Sequence, residues 1–395
     1  MKRLRAELAF FIAVRTVLNT AYRMVYPFLP VFARALGVDL RTMSLALAAR
    51  AAAGAAGPLL APLSDRRGRR FGMMLGLGLF VLGVAAPLAG PALPFFVAAL
   101  VLATVGKYTF DPAMQARIGD RIPYGRRGMP LAAAELGWSL AFILGIPAAG
   151  FLIGRFGWRS PFLALAVLGI AALVAVRFLF PAEGKPAAGT PGCEPNAAPP
   201  GHVRSYLAVV RSGPALAGLA VILFASASNE VVNVVFGVWL EASFGLKLAA
   251  LGAASAAIGL GEFGGEGLVA ATIDRVGKTR AVLIGLTANA AAAVALPLLG
   301  RTTAGALIGL FFFYLTFEYT IVGIIPVMSE ILTEARATLL AFNTAAFSLG
   351  RALAAWLSPR LYEVGFPAVA AAAVVFNALA FLALVRLRRL TAGRH

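Results

Sequence analysis

The amino-acid sequence predicts an all-α integral membrane fold: twelve transmembrane helices in two pseudo-symmetric six-helix bundles, with both termini cytoplasmic. Three observations carry this prediction. First, of 395 residues 60% are hydrophobic and only 13% charged, against about 45–50% and about 25% in soluble domains, and the mean hydropathy is +0.86. Second, apolar stretches of about 20 residues, enough to cross a hydrocarbon core about 30 Å thick, recur along the chain without the strict alternation of β-barrel strands. Third, the net charge of +18 comes from short Lys/Arg clusters between those stretches, which is how basic residues mark the cytoplasmic ends of membrane helices. The third point removes the reason to expect nucleic-acid binding. Together they exclude a soluble multidomain enzyme, a disordered chain and a disulfide scaffold; there is one cysteine, Cys193.

The first span lies near 8–33. Lys2, Arg3 and Arg5 before it imitate a signal peptide, but Arg15, Asn19 and Arg23 interrupt the apolar run and no small-residue cleavage site follows, so it reads as a retained helix. Further spans lie near 42–62, 71–90, 93–117, 129–152 and 158–181. Residues 182–204 hold the Pro/Gly/Ala-rich stretch GKPAAGTPGCEPNAAPPGH, which has almost no large apolar side chain and reads as a flexible cytoplasmic linker. It separates a bundle at 1–181 from one at 205–395, whose spans lie near 205–240, 247–272, 280–299, 303–328, 337–359 and 366–386. With both termini inside, the clusters Arg66–Arg70, Arg121–Arg127, Arg275–Arg280 and Arg386–Arg389 all fall on the cytoplasmic side. The expected setting is the cell (inner) membrane, with lipid as surroundings and a monomer as sufficient unit.

The two halves repeat each other. Asp65-Arg66-Arg67-Gly68-Arg69-Arg70 after the second span is echoed by Asp274-Arg275-Val276-Gly277-Lys278-Thr279 after the eighth, 209 positions on. Gly37 matches Gly245, and Gly157 matches Gly365, each displaced by 208. Pro112 and Met114 are echoed by Pro326 and Met328, with the acids Asp120 and Glu334 eight residues beyond each proline. Such regular spacing points to a duplicated six-helix unit.

In these residues the chain resembles the major facilitator superfamily over essentially its whole length. Ala61-Pro-Leu-Ser-Asp65-Arg66-Arg67-Gly68-Arg69-Arg70 matches the family pattern G-x-x-x-D-R-x-G-R-R, with Ala61 in place of the opening glycine. The resemblance implies a secondary transporter whose halves rock around a midplane site. It also implies a cytoplasmic latch of Asp65, Arg66, Gly68, Arg69 and Asp120, with Asp274, Arg275, Gly277, Lys278 and Glu334 as the repeat-related set; in it Arg69 would pair with Asp120. The alternative is that these charges only set topology. The turns need a residue tolerant of positive φ, hence Gly68 and Gly277, and Asp65 and Asp274 can meet free N–H groups at a helix start. Residues Gly137, Gly145, Pro147 and Gly150 resemble the fifth-helix motif of the drug/proton antiporter branch without its Gly-Pro step, and Lys107 is the nearest basic residue to that branch's fourth-helix arginine.

Ionisable residues inside the predicted spans mark the candidate pathway: Arg15, Arg23, Arg50, Lys107 and Arg351 among cations, Asp111, Glu135, Glu230, Glu262, Glu266 and Glu318 among acids. At about 2.5–3.5 kcal/mol each at the bilayer centre, exposing all of them to lipid would cost roughly 30 kcal/mol. They must face one another or water. Arg15, Asn19, Tyr22, Arg23 and Tyr26 form one helical stripe, and Ser226, Glu230, Asn233 and Gly237 form another on the repeat-related helix. Lys107, Asp111 and Gln115 align on the fourth span, where the Lys–Asp pair can neutralise itself.

Glu135 and Glu230 are the preferred proton carriers, because a carboxyl without a fixed cation in a low-dielectric cavity can load and release a proton. The competing readings are a salt bridge from Glu135 to Lys107 or Arg15, and a packing role for Glu230 beside Asn229 or Asn233. Glu262 and Glu266, in GLGEFGGEG, read as structural or interfacial. Glu318, among Phe311–Tyr319, reads either as part of a packing or lipid-facing aromatic cluster or as part of a wall contacting an organic substrate. The functional expectation is a secondary active transporter that moves a small organic or amphiphilic solute by proton-coupled efflux. Uptake or facilitated diffusion of a small metabolite, lipid flipping, and a non-transporting receptor or scaffold are the alternatives. The sequence has no P-loop for ATP coupling and no metal constellation, so neither enzyme activity nor a cofactor is expected.

Overall fold

The structure is a computed structural model that describes residues 2–55, 68–121, 128–180, 202–332 and 335–392. Among the described residues every regular element is helical. The first crossing is built from α1 (Lys2–Arg23) and α2 (Leu29–Leu36), and α3 (Leu40–Ala55) opens the second. Next come α4 (Arg69–Ala89) and α5 (Leu93–Arg121), then α6 (Gly128–Leu140), which continues through a π-helical turn at Ala141–Gly145 into α7 (Ile146–Phe156). Helix α8 (Ser160–Leu179) ends the first half. A short α9 (His202–Arg211) precedes α10 (Gly213–Asn233) and α11 (Phe236–Phe244), and then α12 (Leu248–Val276), α13 (Lys278–Leu299), α14 (Thr303–Ile331), α15 (Arg336–Val364) and α16 (Phe366–Ala392). Nine helices among the described residues are long and apolar enough to cross a membrane. The other predicted spans fall on α1–α2, α3 and α15, the first and last of which carry charged residues that lower their hydropathy.

Two expected spans are broken rather than continuous. The first is interrupted at 24–28, where Pro27 lacks an N–H to continue the ladder and disfavours helix at Tyr26. The seventh is interrupted at Val234–Val235, the repeat-related position, and no proline announces it. The seventh also begins later than predicted: Ser212 accepts from the Ala215 N–H as an N-cap, and Gly213-Pro214 starts α10, so the residues before it form the separate α9.

The repeat is visible in the backbone. Positive φ among the described residues is confined to Gly37 and Gly245 (65° and 63°), Gly68 and Gly277 (93° and 87°), and Gly157 and Gly365 (87° and 134°). These are the three pairs the sequence matched, each at a turn where a side chain would clash with its own backbone.

Within each half, glycine lets helices touch at backbone distance. A Cβ on Gly76 of α4 would lie 2.6 Å from the Gly106 carbonyl of α5, and one on Gly265 of α12 would lie 2.9 Å from Glu318 Cβ on α14. Small residues at such contacts are how membrane helices associate without a hydrophobic driving force. The halves meet along two seams, α3 against α15 and α6–α7 against α12. In the second half a buried polar knot ties α10, α13, α14 and α16: Asn289 donates to the Phe313 carbonyl at 2.7 Å, and Asn377 donates to Asn289 Oδ1 and Ser228 Oγ, both at 2.8 Å.

Candidate functional site

The polar stripe of α1 points into the middle of the molecule, with Arg15, Asn19, Tyr22, Arg23 and Tyr26 all buried. Three charged networks assemble on it.

The first lies within the first half. Arg15 reaches α6 and α5, with Nη1 2.7 Å from Glu135 Oε1 and Nε 3.3 Å from Asp111 Oδ1. Lys107 donates to Asp111 Oδ2 at 2.6 Å, the one-turn pair read from the sequence. Asn19 donates to the Gly137 carbonyl at 3.1 Å. Two cations face two carboxylates, and the group cancels.

The second crosses between the halves. Arg23 grips Glu262 of α12 with two hydrogen bonds, of 2.5 and 2.8 Å, and both side chains are buried. The rings of Trp138 and Phe142 stack on the guanidinium, with centroids 3.5 and 4.2 Å from Cζ. Trp138 precedes the π-helical turn and Phe142 lies in it; such turns change which residues share a helix face, and here both rings meet one cation. Glycines on α12 make the crossing possible, since a Cβ on Gly259 would sit 2.7 Å from Phe142 Cβ.

The third joins α10 and α15 to the first half. Glu230 accepts from Arg351 Nε at 2.8 Å, from the Tyr26 hydroxyl at 2.7 Å and from Asn233 Nδ2 at 3.2 Å. Arg351 also donates to the Tyr22 hydroxyl at 2.9 Å, and Tyr314 donates to Asn233 Oδ1 at 2.6 Å. Behind them Arg50 donates to the Tyr22 carbonyl at 2.7 Å and to the Tyr26 hydroxyl, without a carboxylate partner. The break at 24–28 is what aims the Tyr26 hydroxyl at Glu230.

Between the second and third networks lies a cavity. Arg23, Trp138, Asn229, Tyr314, Phe317, Glu318 and Arg351 are among its walls, and about 70 Å³ of it is open to the centres of water molecules. One water needs about 10–15 Å³ by that measure, so there is room for several. Two lining groups face it without partners. Glu318 is 8% exposed and has no cation or hydrogen-bond donor within reach among the described residues; the Asn229 Nδ2 is buried and donates to nothing. Glu266, half-buried one turn beyond Glu262, is likewise without an ion-pair partner among the described residues.

The proton-carrier assignment from sequence rested on carboxyls lacking a fixed cation, and the structure removes that premise for both. Glu135 is held by Arg15, one of the competing readings, and Glu230 by Arg351. Two acids meet the criterion among the described residues, half-buried Glu266 and Glu318, and of these Glu318 lines the cavity. Its aromatic surroundings divide: Tyr314 and Phe317 line the cavity, while Phe312 points outward. Sequence reasoning placed no role on Trp138, named Asn229 only as a packing neighbour of Glu230, and placed Glu262 at an interface without its partner. Trp138 stands three residues after Glu135 and four before Phe142, a helical spacing that was the available signal.

The latch is found only in part. Asp65, Arg66 and Glu334 lie outside the described residues, as does the Asp120 side chain, so the expected Arg69–Asp120 pair falls there too. In the second copy, Lys278 pairs with Glu330, one turn before Glu334. Asp274 is exposed near the end of α12 and does not cap α13, whose first residue follows Gly277 directly. Arg275 is exposed at the same end. At the opposite end the halves are joined by Arg34 and Glu241, through hydrogen bonds of 3.0 and 2.8 Å, and by Arg41 and Glu363. Closer in, a Cβ on Gly237 of α11 would lie 2.6 Å from the Pro27 carbonyl. The Gly37/Gly245 end is therefore shut, whereas the Glu135 side chain, toward the basic end, is 44% exposed.

A family model described as Major Facilitator Superfamily matches residues 11–329, covering these networks up to α14. The chain belongs to that superfamily. It is a multi-pass membrane transporter rather than an enzyme. An uncharacterised transporter of this superfamily from Bacillus subtilis, YceJ, is 27% identical over 89% of this chain and 88% of its own length. Another from that organism, YwfA, is 31% identical over 35% of this chain and 34% of its own length, so the chain spans about a third of that relative. A Streptomyces lividans protein named as a chloramphenicol resistance protein is 28% identical over 44% of this chain and 45% of its own length. Among solved structures, a bacterial homologue of the human lysosomal transporter Spinster, inward-facing and unoccupied, superposes with a TM-score of 0.72 over 99% of this chain and 96% of that one, at 14% identity. That likeness concerns the fold.

Proposed function

We propose that this transporter exports a small organic or amphiphilic solute by alternating access, driven by protons moving the other way. The bundles at 1–181 and 205–395, tethered by 182–204, rock about the seam as a monomer in the cell membrane. The observation that carries the reading is the cavity at the seam, with room for water. Charged groups from both halves wall it, Arg23–Glu262 bridges it, and the shut Gly37/Gly245 end lies on one side of it. A rotation that parts Arg34 from Glu241 and Arg41 from Glu363 would expose the cavity at that end. Positive-inside bias puts that end outside the cell. In the state described, solute enters from the cytoplasmic side past Glu135.

Coupling needs a group that changes charge as the cavity changes sides. The paired carboxylates already have their charge matched by a cation, which leaves the unpaired acid in the wall. A relative named for chloramphenicol resistance supports the outward direction.

The test is transport in proteoliposomes under an imposed pH gradient against a panel of solutes. The reading expects at least one solute to move proton against solute in opposite directions. Proton and solute moving together would replace export by symport, and no proton movement with any transported solute would remove the coupling.

A further inference from the structure

Eleven ionisable groups build or adjoin the three networks, and pairing them leaves a remainder. Arg15 and Lys107 are matched by Glu135 and Asp111, Arg23 by Glu262, and Arg351 by Glu230. Arg50, Glu266 and Glu318 are left, so within this set five cations stand against six acids, an excess of one negative charge; Arg117, buried on α5 against the Phe180 ring, is a further cation outside the set. Glu266 is half-buried and in reach of water. Glu318 is the buried one, it lines the cavity, and among the described residues it makes no hydrogen bond or ion pair. An ionised carboxylate held that way is costly unless something neutralises it.

The other lining groups say what that something is. The two cations of the wall, Arg23 and Arg351, are each gripped by a carboxylate of their own, so no lining cation among the described residues is free for an anionic cargo. Tyr314 and Phe317, one turn and one residue before Glu318 on α14, line the same cavity, and Phe347 adds an aromatic ring to its wall from α15. Aromatic faces beside a carboxylate attract a cation that carries a hydrophobic body. Asn229 adds a free N–H for an acceptor on that body.

We infer that Glu318 is the exchange site of this transporter and that its cargo is a lipophilic organic monocation. This rests on the transporter reading above and names its substrate class. With the cavity empty, Glu318 is a neutral acid and the eleven charges cancel. When the cation enters, the Glu318 O–H bond breaks, the proton leaves to water past half-exposed Glu266, and the carboxylate pairs with the cation. The eleven groups and cargo again sum to zero. One proton is exchanged for one monocation, and the exchange carries no net charge. The groups facing Glu318 are Glu262 and Glu266 from α12, Arg23 from α1 and Glu135 from α6. Only Arg23 among these is cationic, and Glu262 occupies it.

Tetraphenylphosphonium and tetraphenylborate, of nearly one shape and opposite charge, provide the probes. Binding to the purified full chain in detergent is followed by calorimetry in buffers of different ionisation enthalpy, which counts protons released. The inference expects tetraphenylphosphonium to bind with release of about one proton at neutral pH, and tetraphenylborate to compete with it at least about tenfold more weakly than the unlabelled cation does. Glu318→Gln should weaken cation binding at least about tenfold and abolish proton release, while Glu318→Asp, which keeps the charge if Gln impairs folding, should retain release. Binding without proton release, full release in folded Glu318→Gln, or preference for the borate overturns the inference. A neutral or anionic solute exchanging with protons in proteoliposomes while tetraphenylphosphonium does not bind would overturn it and leave the transporter reading standing. Failure of every solute to exchange would strike that reading instead.

Discussion

Replacing Glu262 with Gln leaves Arg23 buried without its carboxylate. Arg23 is 4% and Glu262 2% exposed, and both guanidinium hydrogen bonds that join the halves go to this one acid. Breaking a buried pair by removing one partner costs about 3–5 kcal/mol, because the remaining charge stays desolvated. The rings of Trp138 and Phe142 keep part of the stabilisation, worth up to about 2 kcal/mol for a desolvated cation. A net penalty of about 1–3 kcal/mol therefore falls on the state in which Arg23 is enclosed at the seam. In the opposite state Arg23 faces the open cavity and water, so the penalty there is smaller. At about 1.4 kcal/mol per tenfold, Glu262→Gln should shift the balance toward opening at the Gly37/Gly245 end by about 5- to 100-fold. The assay is cysteine labelling by an impermeant thiol reagent at a position near Gly237, in a Cys193→Ser background. Arg23→Gln with Glu262→Gln should restore much of the original balance, since replacing both partners is far milder than removing one. Labelling in Glu262→Gln within twofold of the parent, or no recovery in the double variant, would refute the reasoning.

Further outcomes follow from the same structure. Arg34→Ala with Arg41→Ala should increase labelling at the Gly37/Gly245 end by a factor of a few, and salt should mimic it, because exposed pairs are weak and screened. The Arg41 guanidinium holds the Glu363 carboxyl below its ordinary range, and hydrogen bonds from Thr42 do the same for Asp39. A depressed carboxyl contributes fully above its ordinary range and loses its contribution as pH falls through its folded value, so this closure should persist at neutral pH and loosen only in acid, read by the same labelling across pH. Gly237→Ala should lower thermal stability by about 1–3 kcal/mol through overpacking against Pro27, whereas Gly78→Ala, with nothing within 4 Å of the added carbon, should be neutral or mildly stabilising. Asn289→Ala, which removes the donor to the Phe313 carbonyl and the acceptor for Asn377, should cost about 1–3 kcal/mol. Thermal melts in detergent measure the last three.

Much of the fold was legible because span length, basic loops and repeat spacing are local properties of the chain. The three glycine pairs were found by displacement alone, and each proved to be a positive-φ turn. The stripe from Arg15 to Tyr26 and the Lys107–Asp111 pair were likewise local, since a single helix fixes both. Partner choice was not legible. That Arg23 takes Glu262, and Arg351 takes Glu230, depends on how helices far apart in sequence are rotated about their own axes. The premise of the proton-carrier assignment, an acid without a fixed cation, was beyond the sequence for this reason: whether an acid has such a partner is a tertiary fact. The breaks in the first and seventh spans show the same limit. Pro27 signals the first, but the second rests on packing of Gly237 against Tyr26 and Pro27.

The most direct measurement is sided chemical access to the seam itself. With Asn229→Cys as the sole cysteine, an impermeant thiol reagent applied to oriented vesicles should reach it from the basic-loop side at rest, and from the other side once Glu262→Gln is added. A residue that no reagent reaches from either side, in either background, would mean a dry interior and would contradict a carrier built around that cavity.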